Sequence, residues 1–178
     1  HMQKKLVEKI ESVGAAAEAG LNARVVVKMN SLTDPVLIHA LIRAGKQGAQ
    51  IDLIVRGACM LPAALPGITD NIRVRSIIGR FLEHSRVFYF EIGAAQELYL
   101  ASADWMSRNM TRRIELAWPV VDPVLRRRII DECLLAYLYD TRNAWTLESD
   151  GQYHRVEKKG HKVQSAQALL MQQYAGRH

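Results

Sequence analysis

Apolar and polar positions along this chain follow two periods, and the switches between them mark out the elements. In QKKLVEKIESVGAAAEAG, residues 3–20, Leu6, Ile10 and Val13 fall at helical spacing, and Gly20 stands where a left-handed cap would end the helix. ARVVVKM (23–29) then reads as a β-branched strand. NSLTDP supplies a loop in which Thr33 or Asp34 caps a helix and Pro35 occupies its first turn. That helix, PVLIHALIRAGKQG (35–48), gives way to QIDLIV (50–55), a short apolar strand of the buried kind. The order helix, strand, helix, strand implies a parallel pair with a right-handed crossover.

Residues 56–71 are rich in Pro, Gly and Ala and read as a loop, and IRVRSI (72–77) alternates apolar and basic residues as a strand. Residues 80–110 read as two strands joined by a turn, and RIELAWPV (113–120) as another strand. Asp122 caps a helix begun by Pro123, with Leu125, Ile129, Cys133 and Tyr137 repeating every four residues. The Arg126–Arg128 run lies partly off that stripe and predicts a solvated face. An Asp-Gly turn in WTLESDGQYHRV joins two short strands, and VQSAQALLMQQYA (163–175) closes the chain as a helix. The pattern predicts a single α/β domain with a mixed β-sheet flanked by helices.

Composition narrows this picture. The 178 residues, 49% hydrophobic and 24% charged, suit one soluble domain with a genuine core. No apolar run approaches the roughly 18 residues of a membrane span, and no signal peptide is evident. The opening His1-Met2 is expected to be an expression remnant, so that residues 3–178 form a domain cut from a longer protein. Cys59 and Cys133 lack a metal spacing, which points to a reducing compartment with neither a disulfide framework nor a zinc site. A net charge of +6 favours an anionic partner: a nucleotide, a phosphate polymer, nucleic acid or anionic lipid.

On a strand, residues two apart share a face, so His84, Arg86 and Phe88 would point one way and Ser85, Val87, Tyr89 and Glu91 the other. An imidazole and a guanidinium at a strand entrance make a sensible phosphate site, because one forks onto oxygens and the other donates or exchanges a proton. Ser102 and Asp104 share a face on the partner strand and would complete a polar cluster at the sheet's end. A lone histidine at a strand start is more often simply exposed or locally hydrogen-bonded, and His39, His154 and His161 are such residues by default. Arg56 follows a buried strand and opens a glycine-containing loop, the place where α/β folds position ligands. Lys28 and Asn30 end the first strand on a common face, and either Arg112 or Arg113 would face the His84 cluster. Gly-rich nucleotide loops and a Gly-x-Ser-x-Gly elbow are absent, as is the aromatic pattern of an RNA-recognition sheet.

His84-Ser85-Arg86 with Glu91 resembles a degenerate His-x-Lys-x-x-x-x-Asp signature of the phospholipase D superfamily, Arg86 standing for the Lys and Glu91 for the Asp. ASADWMSRN (101–109) resembles the Gly-Ser-x-Asn segment that follows that signature. The longer match is more specific. ARVVVKMNSLTD, IDLIVRGAC, NIRVRSIIGRFLEHSRVFYF and YLASADWMSRNMTRRIE together resemble the C-terminal domain of bacterial polyphosphate kinase, over essentially all of residues 3–175. CMLPAALPG (59–67) departs from the family pattern, which puts a second Cys and a basic residue before the Pro.

The resemblance implies a phospholipase D-like fold and an enzyme that moves the terminal phosphate of ATP reversibly onto polyphosphate through a phosphohistidine. The phosphorylated His and the Mg2+-binding arginines belong to a preceding domain that is expected to lie outside this chain, so no metal ligands are expected within it. Carried over, Arg56 binds ATP phosphates, His84 binds nucleotide or assists proton transfer as a second essential histidine, and Arg113 is a further phosphate contact. Glu91, on the opposite parity from His84, is expected to support the strand. The implied partners are ATP or ADP, polyphosphate and the remaining domains of the same polypeptide, in a homo-oligomer, without nucleic acid or a transmembrane segment. The implied location is cytoplasmic, with peripheral association with the inner membrane left open. Two other readings compete: a phospholipase D-like phosphodiesterase or nuclease half-site, and a non-catalytic module that binds polyanions.

Overall fold

A computed structural model describes residues 2–156 and 163–176, and one mixed sheet runs through their centre. Its elements are α1 (Met2–Glu18), β1 (Ala23–Met29), α2 (Pro35–Lys46), β2 (Gln50–Val55), β3 (Ile72–Ile77), β4 (Val87–Ile92), β5 (Ala95–Ala101), α3 (Ser107–Thr111) and β6 (Ala117–Pro119). There follow α4 (Pro123–Ile129), a π-helical stretch (Ile130–Leu135), α5 (Ala136–Leu138), β7 (Ala144–Leu147), β8 (Tyr153–Arg155) and α6 (Ala166–Ala175). The strands lie in the order β6-β5-β4-β1-β2-β3-β7-β8, with β1, β2 and β3 parallel and every other pairing antiparallel.

Both faces of the central strands are covered, which is why their sequences are almost continuously apolar. Val25, Val27 and Met29 of β1 and Ile51, Leu53 and Val55 of β2 pack with Leu6, Ile10 and Val13 of α1 and Leu37 and Leu41 of α2. Val26, Ile54, Val87 and Tyr89 face the other way, onto Leu134, Tyr137 and Ala166. Phe88 meets the fully buried Trp105 edge to face, with centroids 5.3 Å apart. The Trp105 carbonyl accepts from the N–H groups of Thr33 (2.8 Å) and Asp34 (2.9 Å). This ties the segment after β5 to the start of α2, where Asp34 caps the helix by accepting from Leu37 N.

Several predicted boundaries shift for physical reasons. The first hairpin strand begins at Val87, so Glu83–Arg86 form an irregular segment ahead of it, tied to β5 by the Ala101 N–H donating to the Arg86 carbonyl and otherwise held by side chains. The strand expected over 113–120 shrinks to Ala117–Pro119, because Arg113 lies in the turn after α3 and the Leu116 N–H is taken by the Ser102 hydroxyl. The closing helix starts at Ala166, where Ser165 accepts from Ala168 N, and Val163–Ser165 are non-helical. The four-residue repeat after Pro123 drifts around an ordinary α-helix; the wider π turn over Ile130–Leu135 counters that drift and leaves Tyr137 buried. The Asp-Gly turn is present, with Gly151 at φ 78°, between β7 and β8. Within the Arg126–Arg128 run, Arg127 and Arg128 are exposed and pair with Asp131 and Glu132 one turn on. His1, His161 and His178 lie outside the described residues.

Candidate functional site

Because β4 runs antiparallel beside β1, the chain enters β4 at the edge where β1 and β2 end. Asn30, Arg56 and His84 consequently share one rim of the sheet. Neighbouring strands are about 4.8 Å apart, so Arg56 and the chain entering β4 are separated by roughly 10 Å across the sheet.

Arg56 owes its position to a close approach. The Gly57 N–H donates to the Asn30 carbonyl at 2.7 Å, and a Cβ at Gly57 would come within 2.9 Å of that oxygen, so a larger residue would push the loop away. The turn brings Arg56 Nε to Asn30 Oδ1 (3.2 Å), and Ser76 Oγ donates to the Arg56 carbonyl (3.1 Å). The half-buried guanidinium is thus held by a neutral amide that orients it without cancelling its charge. Asn30 is 8% exposed, and its Nδ2 has no hydrogen-bond partner among the described residues. A buried donor in that state gains from an arriving anion what its desolvation costs, about 1–3 kcal/mol.

His84 is exposed, and its carbonyl accepts from Arg86 Nη1 at 3.0 Å. The phosphate site expected from His84 and Arg86 together is not formed. Arg86 instead makes a two-point pair with Asp104, Nε to Oδ1 at 3.0 Å and Nη2 to Oδ2 at 3.1 Å. Asp104 Oδ1 also accepts from the Asn30 N–H at 2.7 Å, so this carboxylate fastens the end of β1 to the entrance of β4. Ser102 does not join the cluster; it donates to Glu115 and accepts from Leu116 N (3.0 Å), on the β6 side. Arg113 is exposed, in the turn between α3 and β6. Glu91 lies at the far end of β4, accepting from Asn22 (2.8 Å) and Tyr89, in the supporting role expected for it.

A shallow crevice beside Arg56 is lined by Lys28, Asn30, Glu83 and Tyr137, which brings the segment carrying His84 next to Arg56 although His84 itself faces outward. Burial and the bond to the Glu83 carboxylate hold the Tyr137 phenol well above its ordinary value, so it acts as a donor. Glu83 and Tyr137 were legible only as a strand residue and a core residue. A cavity of about 770 Å³ lies elsewhere, between α1 and β4–β6, and is lined by none of the predicted residues. Both cysteines are free thiols, raised by burial. Among the described residues no helix is long and apolar enough to cross a membrane.

A family model described as "Polyphosphate kinase C-terminal domain 2" matches residues 1–167. The polyphosphate kinase of Burkholderia cenocepacia (strain HI2424) is 46% identical over 170 residues, 96% of this chain and 25% of that protein. The polyphosphate kinase of Paraburkholderia phytofirmans is 48% identical over 167 residues, 94% of this chain and 24% of that protein. The crystal structure of the Porphyromonas gingivalis polyphosphate kinase superposes with a TM-score of 0.93 at 38% identity, covering 99% of this chain and 27% of the other. The chain spans about a quarter of the length of these relatives.

Proposed function

Because the chain belongs to the family of polyphosphate kinase C-terminal domains, we propose that residues 3–178 form one wall of an ATP and polyphosphate site in a longer enzyme. The observation that carries this reading is Arg56, a half-buried guanidinium on a neutral Asn30 amide beside an unpartnered buried donor. Phosphoryl transfer calls mainly for positioning and for cations around the equatorial oxygens of the moving group. Arg56, with Asn30 Nδ2, would grip ATP phosphates; His84 would reach outward to the nucleotide or exchange a proton. Arg113, in the turn between α3 and β6, would be a further phosphate contact. The phosphohistidine is assigned to a domain outside this chain.

Magnesium belongs to the same reading, with its ligands outside this chain. The carboxylates at this rim are a poor fit for it: Asp104 is engaged by Arg86 and the Asn30 N–H, and Glu83 by Lys28, Tyr137 and Gln167. Among the described residues no group of three or more His, Cys, Asp or Glu side chains could hold a metal ion. Assembly into a homo-oligomer and a cytoplasmic setting are parts of the same proposal.

In the full-length enzyme, Arg56→Ala and His84→Ala should each lower ATP-dependent polyphosphate synthesis by about 1,000-fold or more. Thermal unfolding should stay near the parent's, since each change removes at most one side-chain hydrogen bond, that of Arg56 to Asn30. Near-parental synthesis by either variant would remove that residue from the site. The basic rim also predicts affinity for polyphosphate that falls as salt rises.

A further inference from the structure

Lys28 is 6% exposed beneath the segment that carries His84, yet it is charged and points away from solvent. Its Nζ donates to Glu83 (3.3 Å) and to Ser85 Oγ (2.8 Å), and lies 4.6 Å from the centre of the Tyr137 ring. Glu83 and Ser85 flank His84. Both neighbours are thus tied to one ammonium group, while the His84 side chain between them is exposed. Glu83 is fixed again by the Tyr137 hydroxyl on one oxygen and by Gln167 Nε2 (2.9 Å) on the other.

Gln167, on the first turn of α6, is a second fastening. It is 5% exposed, accepts from the Phe81 N–H and donates to the Phe81 carbonyl, each at 3.0 Å. It also fills the space over Gly79, where a Cβ would come within 2.4 Å of its Oε1. Two buried polar side chains, distant in sequence, therefore converge on the segment around His84, bonding Phe81, Glu83 and Ser85. Neither is needed to cover the core, where apolar residues would serve better.

We infer that Lys28 and Gln167 are positioning residues that hold the 81–86 segment in the one conformation presenting His84 outward to nucleotide. This inference rests on the assignment of His84 to the site. A flexible segment would leave His84 a tether among many orientations, and removing comparable supports of ligating residues costs about 10–100-fold in affinity or activity.

The test uses the full-length enzyme with Lys28→Met, which keeps the aliphatic stem over Tyr137, and Gln167→Leu. Hydrogen exchange across residues 81–86 should accelerate about fivefold or more in each variant, and kcat/KM for ATP should fall about 10–100-fold. Combined with His84→Ala, Lys28→Met should add no further loss, with residual rates read from radiolabelled ATP, because Lys28 acts only through His84. Unchanged exchange, parental kinetics, or losses that multiply with His84→Ala would each overturn the inference. Should Lys28→Met fail to fold, Lys28→Met/Glu83→Gln removes both charges together and carries the same comparison. An active His84→Ala enzyme would instead sink the role of His84, while exchange would still decide whether Lys28 holds the segment.

Discussion

At the end of the sheet where β1 begins, the buried Asp52 sits between Arg24 (2.7 Å) and Arg73 (2.8 Å), and Lys9 reaches Glu97 across from α1. At the end where β1 stops, Arg86 has Asp104 and Lys28 has Glu83, but Arg56 has the Asn30 amide. Every basic side chain named at the first end is held by a carboxylate, whereas at the second Arg56 is held by an amide. A guanidinium forked onto a carboxylate is spent on structure, because a ligand phosphate would have to displace an equally charged partner already in place. One oriented by an amide keeps its full attraction for phosphate. Basic residues at a strand end thus divide by the partner's charge into those neutralised by a carboxylate and those left with their charge, and Arg86 and Arg56 fall on opposite sides of that line.

The sharpest way to break the comparison after the Arg56 and Lys28 variants is Asp104→Ala. Asp104 is buried, and its loss strands Arg86 and frees the Asn30 N–H together. Removing one partner of such a pair costs about 3 kcal/mol, a drop in thermal midpoint of about 6–12 °C for a chain of this size. A fall under about 2 °C in calorimetry would mean that Arg86 is not a fastener.

That division was only half visible in the amino-acid order. β1, β2 and β4 announced themselves through apolar runs, since burial on both faces leaves a local signature. Arg56 was legible because a buried strand ending in Arg-Gly is itself a local pattern. The pairing of Arg86 with Asp104, 18 residues on, depends on how β4 and β5 register, and His84 and Arg86 were set on one face because β4 was read as starting four residues earlier, at Glu83. Gln167 meets Glu83 across 84 residues of sequence; a polar residue on a helix that reads as exposed gives no hint of such a contact. The π turn that buries Tyr137 was foreshadowed only by a repeat of four where an α-helix prefers 3.6.

Tyr137→Phe sharpens the same contrast more gently, by taking one donor from Glu83 and leaving Lys28 and Gln167 in place. The loss should be about 1.5 kcal/mol at pH 7, the worth of a hydrogen bond to a charged group. Its pH dependence has a definite sign. The folded phenol titrates well above the ordinary value of 10, so its contribution is complete below pH 10 and declines as pH rises further, when the unfolded chain ionises first. The gap in stability between parent and Tyr137→Phe should therefore narrow above pH 10 in urea titrations; a gap that widens there would place the hydroxyl away from Glu83.

At the opposite end, Glu97→Gln asks whether a carboxylate fastener on the surface matters as much as a buried one. Glu97 accepts from Lys9 and from Tyr99, and the Lys9 bond holds its carboxyl below the ordinary 4.5. Its side chain is half exposed, so solvent screens the pair, and the change should cost no more than about 0.5 kcal/mol at pH 7. Because the folded value is the lower one, this small contribution is present above pH 4.5 and disappears as acid protonates the folded carboxylate. Parent and variant should accordingly converge in stability as pH falls below 4.5. A loss at pH 7 as large as that of Asp104→Ala would show that burial does not set the strength of these fasteners, and the contrast between the two ends would then rest on charge alone.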